Sequence, residues 1–360
     1  MRESTAKKYE LVFIPGAGIS HLVPTVEFAK TLLDTDHRFS VTVLTMNVPF
    51  GPIQPSYTDS FPQIRFIELV RPDSPSPEMK HSLSGICEFI DHYKPHSRQA
   101  ITQLIATELD PNSVSLAALV LDMFTTTMVD IADELGVPSY VYYTSGAATL
   151  DLFLYMPILD STYETDLKDD LTRELEIPSF KNSVKEIANG LERSGHRFLW
   201  SVRPKDGSTR LDELVPEGFV ERTAERGMVC GWVPQVAVLG HGSVKCFVSH
   251  CGWNSTLESF WFGVPILTWP LYAEQHLNAF SLVKELRLSV ELKGYYRVSE
   301  DDLVTAEEVE RGVRKVMEGE CEEVRKRVEE MKEKSRRALK EGGSSAGSVK
   351  RLIEDLVQGR

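Results

Sequence analysis

Residues 245–270, KCFVSHCGWNSTLESFWFGVPILTWP, hold the pattern that decides the fold. KCFVSH reads as a short buried strand, NSTLESFWFG as a helix closing on a glycine, and VPILTWP as a second buried strand. A strand, a helix and a strand in succession form the repeating unit of a parallel sheet wrapped by helices. In open sheets of this kind ligands bind in the turn beyond a strand's C-terminal end. Here that turn crowds His250, Gly252, Trp253, Asn254, Ser255 and Glu258 into nine positions.

The same rhythm extends outward in both directions. Upstream, apolar runs at 9–15, 40–46, 64–70, 116–124 and 139–145 alternate with helical patterns such as 22–33 and 126–136. Further runs at 197–203, 227–232 and 288–292 flank the opening stretch. Near-continuous Val, Ile and Leu means burial on both faces, so the expected class is α/β with two doubly wound, Rossmann-like domains, residues 1–180 and 181–360. A chain of 360 residues suits two domains of about 150 to 200 residues each. One irregularity stands out: SVKEIANGLERSG, 183–195, is a helix, and the polar stretch 160–182 supplies no strand before it. The second domain is therefore expected to lack a strand. Residues 306–341, with opposite charges three or four apart, read as a solvated helical face.

Composition narrows the function. The 42% apolar and 26% charged content is that of an ordinary globular protein, and a net charge of -13 argues against a nucleic-acid partner. The charged start MRESTAKKYE predicts no secretory leader, and no apolar run reaches the roughly 18 residues needed to span a bilayer. Cys87, Cys230, Cys246, Cys251 and Cys321 are odd in number and scattered without zinc spacing, which predicts a reducing compartment, the cytosol.

The polar turn suggests an anion site. Asn254 or Ser255 is expected to cap the helix, leaving first-turn N–H groups and the helix dipole for a phosphate. His250 adds a donor, Glu258 an acceptor for sugar hydroxyls, and Trp232 a π-face for a base. Taken singly, Asn and Ser are ordinary caps and Trp253 is ordinary core; together they point to a nucleotide.

These residues carry a family resemblance. WVPQVAVLGHGSVKCFVSHCGWNSTLESFWFGVPILTWPLYAEQ, 232–275, resembles the signature of plant family-1 UDP-dependent glycosyltransferases. The resemblance implies that Trp232 stacks on uracil and that Gln235 and Glu258 hold the nucleoside end. It also implies that His250, Asn254 and Ser255 surround the diphosphate, and that Trp253, Glu274 and Gln275 surround the sugar. Gln275 resembles the glucose-using members, so UDP-glucose is the implied donor substrate. FIPGAGISHLVPTVEFAK resembles the family's first strand and loop, which makes His21 the implied base. ALVLDMF makes Asp122 its acidic partner, and Thr144 with Ser145 falls in a loop near the donor. The implied architecture is two facing domains of GT-B type; no cofactor or metal is implied. An imidazole, with an ordinary pKa of about 6.5, suits removal of an acceptor proton, and a carboxylate on its other nitrogen fixes the tautomer. Attack from the face opposite UDP then gives an inverted, β-linked product on a small acceptor such as a flavonoid, anthocyanidin or other phenol.

Other motifs lead elsewhere. PGAGISH has His21 where a dinucleotide loop needs its third glycine, and Asp34 to Asp36 form a turn with no expected metal. Relative to the family, LEIPSF runs almost directly into NSVKEIANGLE, so part of the first domain, the linker and the first strand of the second are expected to be missing near Phe180 to Ser183. A second reading therefore stands beside the enzyme: a non-catalytic truncated or splice form with partial UDP-sugar binding or an interaction role.

Overall fold

The computed structural model describes residues 7–46, 55–70, 83–110, 113–163, 180–202, 211–294 and 304–358. Two compact units emerge: Met1–Thr144 with Leu154–Glu174 and Leu339–Arg360, and Ser145–Phe153 with Leu175–Ala338.

In the first unit β1 (Lys8–Ile14), β2 (Phe39–Thr45), β3 (Arg65–Glu68), β4 (Val114–Asp122) and β5 (Ser139–Tyr142) form one sheet in the order β3-β2-β1-β4-β5. Every pair is parallel. Alternation along β1 sends Val12 and Ile14 into one apolar cluster, with Ile90 and Tyr93, and Leu11 and Phe13 into the other, with Leu22 and Val26. Leu11 through Ile14 are fully buried, as two-sided coverage demands. The helix Ile19–Thr35 follows β1 and brings His21 into its first turn. The stretch expected to be helical at 126–136 is a 3-10 turn, Met123–Met128, continued by the helix Val129–Leu135 and closed by Gly136 at φ 65°.

The single boundary expected at residue 180 gives way to an exchange of segments. Helix Ser344–Gln358 places Ile353 and Leu356, with Val349 and Leu352, against the first unit's cluster around Leu22 and Val26. Its apolar residues recur every three or four positions, so one stripe must be buried, and the first unit's sheet face offers the cover.

The second unit contains β6 (Phe198–Ser201), β7 (Gly227–Cys230), β8 (Phe247–Ser249), β9 (Ile266–Thr268) and β10 (Ser289–Glu291). Its described strands form two sheets, β6-β7 and β10-β9-β8, both parallel. The strand judged missing from the sequence would precede the helix Phe180–Ser194; residues 164–179 lie outside those described. That helix packs on the helix Ala306–Met317 so closely that a Cβ at Gly190 would stand 2.4 Å from Val309 Cβ. The charged stretch 306–341 is thus more than a solvated face: Val309, Val313, Val316 and Val328 are buried, while pairs such as Arg314–Glu310 and Arg327–Glu323 occupy the outer side. No described helix is long and apolar enough to cross a membrane.

Candidate active site

Two sets of polar residues gather at strand ends, one in each unit. In the first, Asp122 ends β4 and His21 sits in the first turn after β1, 101 residues apart in sequence. His21 Nδ1 lies 2.9 Å from Asp122 Oδ2. A carboxylate only accepts, so Nδ1 carries the hydrogen and Nε2 is left with a lone pair. The Asp122 side chain is 1% exposed and that of His21 19%, which makes the carboxylate an internal support and the imidazole the accessible group. Asp122 is fixed from behind: Phe124 N–H donates to Oδ1 at 3.0 Å, and the Asp122 N–H donates to Thr125 Oγ1 at 2.8 Å. Thr125 in turn donates to the Ile14 carbonyl at 2.7 Å, tying β4 to β1. Phe124 presents its ring to the imidazole edge-on at 5.3 Å.

In the second unit the helix Trp253–Phe262 follows β8. Its cap is Gly252, with no side-chain capping bond; Asn254 and Ser255 do not cap it as expected. The His250 ring folds back on this cap, so that a Cβ at Gly252 would stand 2.4 Å from Nε2. The helix begins at Trp253 and carries Asn254 and Ser255 inside its first turn. Gln235 Nε2 donates to Ser255 Oγ at 3.0 Å and to Glu258 Oε2 at 2.7 Å, joining three expected site residues into one network. Trp232, three residues earlier, is 69% exposed, an open aromatic face. The protein around His250 lowers its pKa by desolvation, which favours the neutral imidazole. Cys251 between them is held at φ 65°, an uncommon conformation for a residue with a side chain, and its carbonyl accepts from Asn278 Nδ2 at 3.0 Å. Gln275 is buried, with Oε1 accepting from the N–H groups of Leu271 and Tyr272 at 3.0 and 3.1 Å. Half of its carboxamide thus braces its own loop. Glu274 beside it is half-buried, and Trp253 lies on Gly146, where a Cβ would be 3.2 Å from the indole.

Comparison with known proteins gives the family. The family described as UDP-glucoronosyl and UDP-glucosyl transferase matches residues 176–323. UDP-glycosyltransferase 71K1 of Malus domestica is 36% identical over 98% of this chain and 99% of its own length. The chain belongs to the plant family-1 UDP-dependent glycosyltransferases. A putative UDP-glucose flavonoid 3-O-glucosyltransferase of Fragaria ananassa is likewise 36% identical, over 97% of this chain and all of its own. Among solved structures, Medicago truncatula UGT71G1 complexed with UDP-glucose superposes with a TM-score of 0.78 at 32% identity, over 97% of this chain and 98% of that one. The Malus alignment runs over 475 positions against the 360 residues here, so the relative carries stretches that this glycosyltransferase lacks.

Some contacts at the candidate site are not legible in the sequence. Thr144, expected near the donor, has its Oγ1 3.2 Å from His21 Nδ1 and 3.5 Å from Asp122 Oδ2. Gly16 is required beneath the pair, since a Cβ there would meet Asp122 Oδ1 at 2.8 Å and His21 Cγ at 3.3 Å. Asn278, buried, joins the 250–252 turn to the helix Gln275–Phe280, and its place amid QHLNAF gave no sign of that contact in the sequence. Cys246 and Cys251 have thiols pushed up to about 12 by burial. Asp36 pairs with Arg38, whose guanidinium holds the carboxyl below the ordinary range. Among the described residues no three His, Cys, Asp or Glu side chains are grouped to hold a metal.

Proposed function

We propose that the chain transfers glucose from UDP-glucose, with inversion, to a hydroxyl of a small lipophilic phenolic such as a flavonoid or anthocyanidin, giving a β-O-glucoside. The observation that carries this reading is the buried carboxylate on His21 Nδ1, which leaves Nε2 as the proton acceptor. The acceptor's O–H proton passes to Nε2 while its oxygen attacks the anomeric carbon. The bond from that carbon to UDP breaks and its electron pair leaves on the β-phosphate. Asp122 stabilises the imidazolium that results.

On this reading Trp232 stacks on the uracil, Gln235 and Glu258 hold the ribose, and the N–H groups after Gly252, with His250, Asn254 and Ser255, bind the diphosphate. Trp253, Glu274 and Gln275 contact the glucose, and Thr144 steadies the dyad at the edge of the donor. The chemistry requires no metal or cofactor. The UDP-glucose in the Medicago structure and the flavonoid named for the Fragaria relative support the substrate class. Cytosolic residence is part of the proposal, supported by five free cysteines and the lack of a membrane-spanning helix among the described residues.

The test is incubation with UDP-glucose and a panel of flavonols, anthocyanidins and simple phenols, read by mass spectrometry. A glucoside that vanishes in His21→Ala supports the proposal. A second reading, a non-catalytic form with residual UDP binding, draws on the divided sheet of the second unit and the shorter chain. UDP binding without product from any acceptor is its expected result.

A further inference from the structure

The second unit contains a cavity that the candidate site does not use. It has a volume of about 670 Å³ and lies among the loop 239–245 before β8, residues 262–265 before β9, and the helix Glu322–Leu339. β8 and β9 run parallel, so their N-terminal ends share one edge of the sheet. The turn at 250–258 follows the C-terminal end of β8. Cavity and polar turn therefore stand at opposite edges, with the length of β8 between them.

The walls of the cavity differ in character. Leu239, Val244, Phe262, Val264 and Pro265 supply an apolar side. Phe262 rests on Gly240, where a Cβ would stand 3.1 Å from its ring. The helix supplies a charged side: Glu322, Arg325, Lys326, Glu329, Lys332 and Arg336 recur every three or four positions, which sets them on one face. Lys245 joins them from the loop. Five cations thus meet two carboxylates, in a chain whose net charge is -13.

Part of that charge has a structural task. Lys332 pairs with Glu329 at 2.8 Å, and Arg336 donates to the Trp261 carbonyl at 3.4 Å while its guanidinium lies 5.6 Å from the Trp261 ring centre. Arg336 thus serves the C-terminal end of the helix Trp253–Phe262, where partial negative charge favours a cation. Lys245 and Lys326 have no such task. Both are exposed, and neither side chain has an ion-pair or hydrogen-bond partner among the described residues. Arg325 spends Nη2 on the Val316 carbonyl, and its Nε has no hydrogen-bond partner among the described residues. Like charges gathered in a concave wall raise the local concentration of anions.

We infer that this cavity binds a small organic anion, its carboxylate, sulfate or phosphate head held by Lys245, Lys326 and Arg325 and its apolar body laid against Phe262 and Val264. The volume falls in the range of about 300 to 1,000 Å³ usual for small-molecule sites, and an apolar wall with a few convergent polar groups is their usual make-up. A bare inorganic anion would leave the apolar wall in water. An uncharged aromatic would leave the lysines unmatched.

The test is calorimetric titration of the full chain, at constant ionic strength, with naphthalene-2-sulfonate, its neutral isostere naphthalene-2-sulfonamide, and sodium sulfate. The sulfonate is expected to bind, and each of the other two at least about tenfold more weakly, the loss of one charge-assisted contact. Lys245→Gln with Lys326→Gln should weaken the sulfonate by about tenfold or more. The same charge removed at the exposed Lys185 and Lys350 should not weaken it, and saturating UDP should not displace it. Amide shifts of the unaltered chain, expected at 239–245 and 322–336 on adding the sulfonate, locate the site without any variant. No binding, equal binding of the sulfonamide or of sulfate, equal loss in the two paired variants, displacement by UDP, or shifts confined to other residues would each overturn the inference.

Discussion

Replacing Asp122 with Asn separates the chemistry of the dyad from its architecture. Asn caps as well as Asp, and its Oδ1 can still accept from Phe124 N–H, now 3.0 Å away, so the turn after β4 should survive. What is lost is the charge in the 2.9 Å bond to His21. A bond to a charged group contributes about 1.5 to 3 kcal/mol and a neutral one about 0.5 to 1.5, so the stability cost should be on the order of 1 kcal/mol. The catalytic cost should be larger. An amide NH2 facing Nδ1 must donate, which moves the imidazole hydrogen to Nε2 and removes the lone pair that would take the acceptor proton. General-base catalysis is worth about a hundredfold to ten-thousandfold, or roughly 3 to 5.5 kcal/mol. Urea denaturation gives the first quantity and initial rates with UDP-glucose and a flavonol the second. A nitrogen-15 spectrum of the imidazole reports the tautomer without any turnover. A rate loss below about tenfold, or an Nδ1–H tautomer persisting in the variant, would refute the reasoning.

Other expectations follow from the same geometry. Trp232→Ala should leave stability within about 0.5 kcal/mol, since the indole is 69% exposed, yet weaken UDP binding in calorimetry by about 1 to 3 kcal/mol of lost stacking. Gly252→Ala drives a methyl into the His250 ring at 2.4 Å, so it should cost about 1 to 3 kcal/mol in thermal unfolding and weaken UDP binding as well. Gly16→Ala, with its methyl 2.8 Å from Asp122 Oδ1, should lower the transfer rate while leaving the Kd for UDP unchanged, a split that titration and kinetics together resolve. Asn278→Ala should free the Cys251 carbonyl and relax its φ of 65°, seen as faster amide exchange at residues 250–252.

Sequence alone determined the strands and helices and the polar turn that follows β8. The Val, Ile and Leu runs at 9–15, 40–46 and 116–124 became β1, β2 and β4 because two-sided burial leaves a local mark in every residue of a strand. The turn at 250–258 was legible for the same reason, since its strand, helix and polar groups are neighbours in the chain. Only the tertiary structure decided what meets across distance. The pairing of His21 with Asp122, the approach of Thr144, and the linking of Gln235 to Glu258 depend on which strands lie side by side. The packing of Ile353 and Leu356 on the first unit was equally hidden: an apolar stripe announces burial but not its partner. The missing strand stood between the two cases. A helix at 180–194 with no apolar run before it gave the warning, and the division of the described strands into β6-β7 and β10-β9-β8 came only from the structure, because hydrogen bonds between strands record adjacency that sequence order does not.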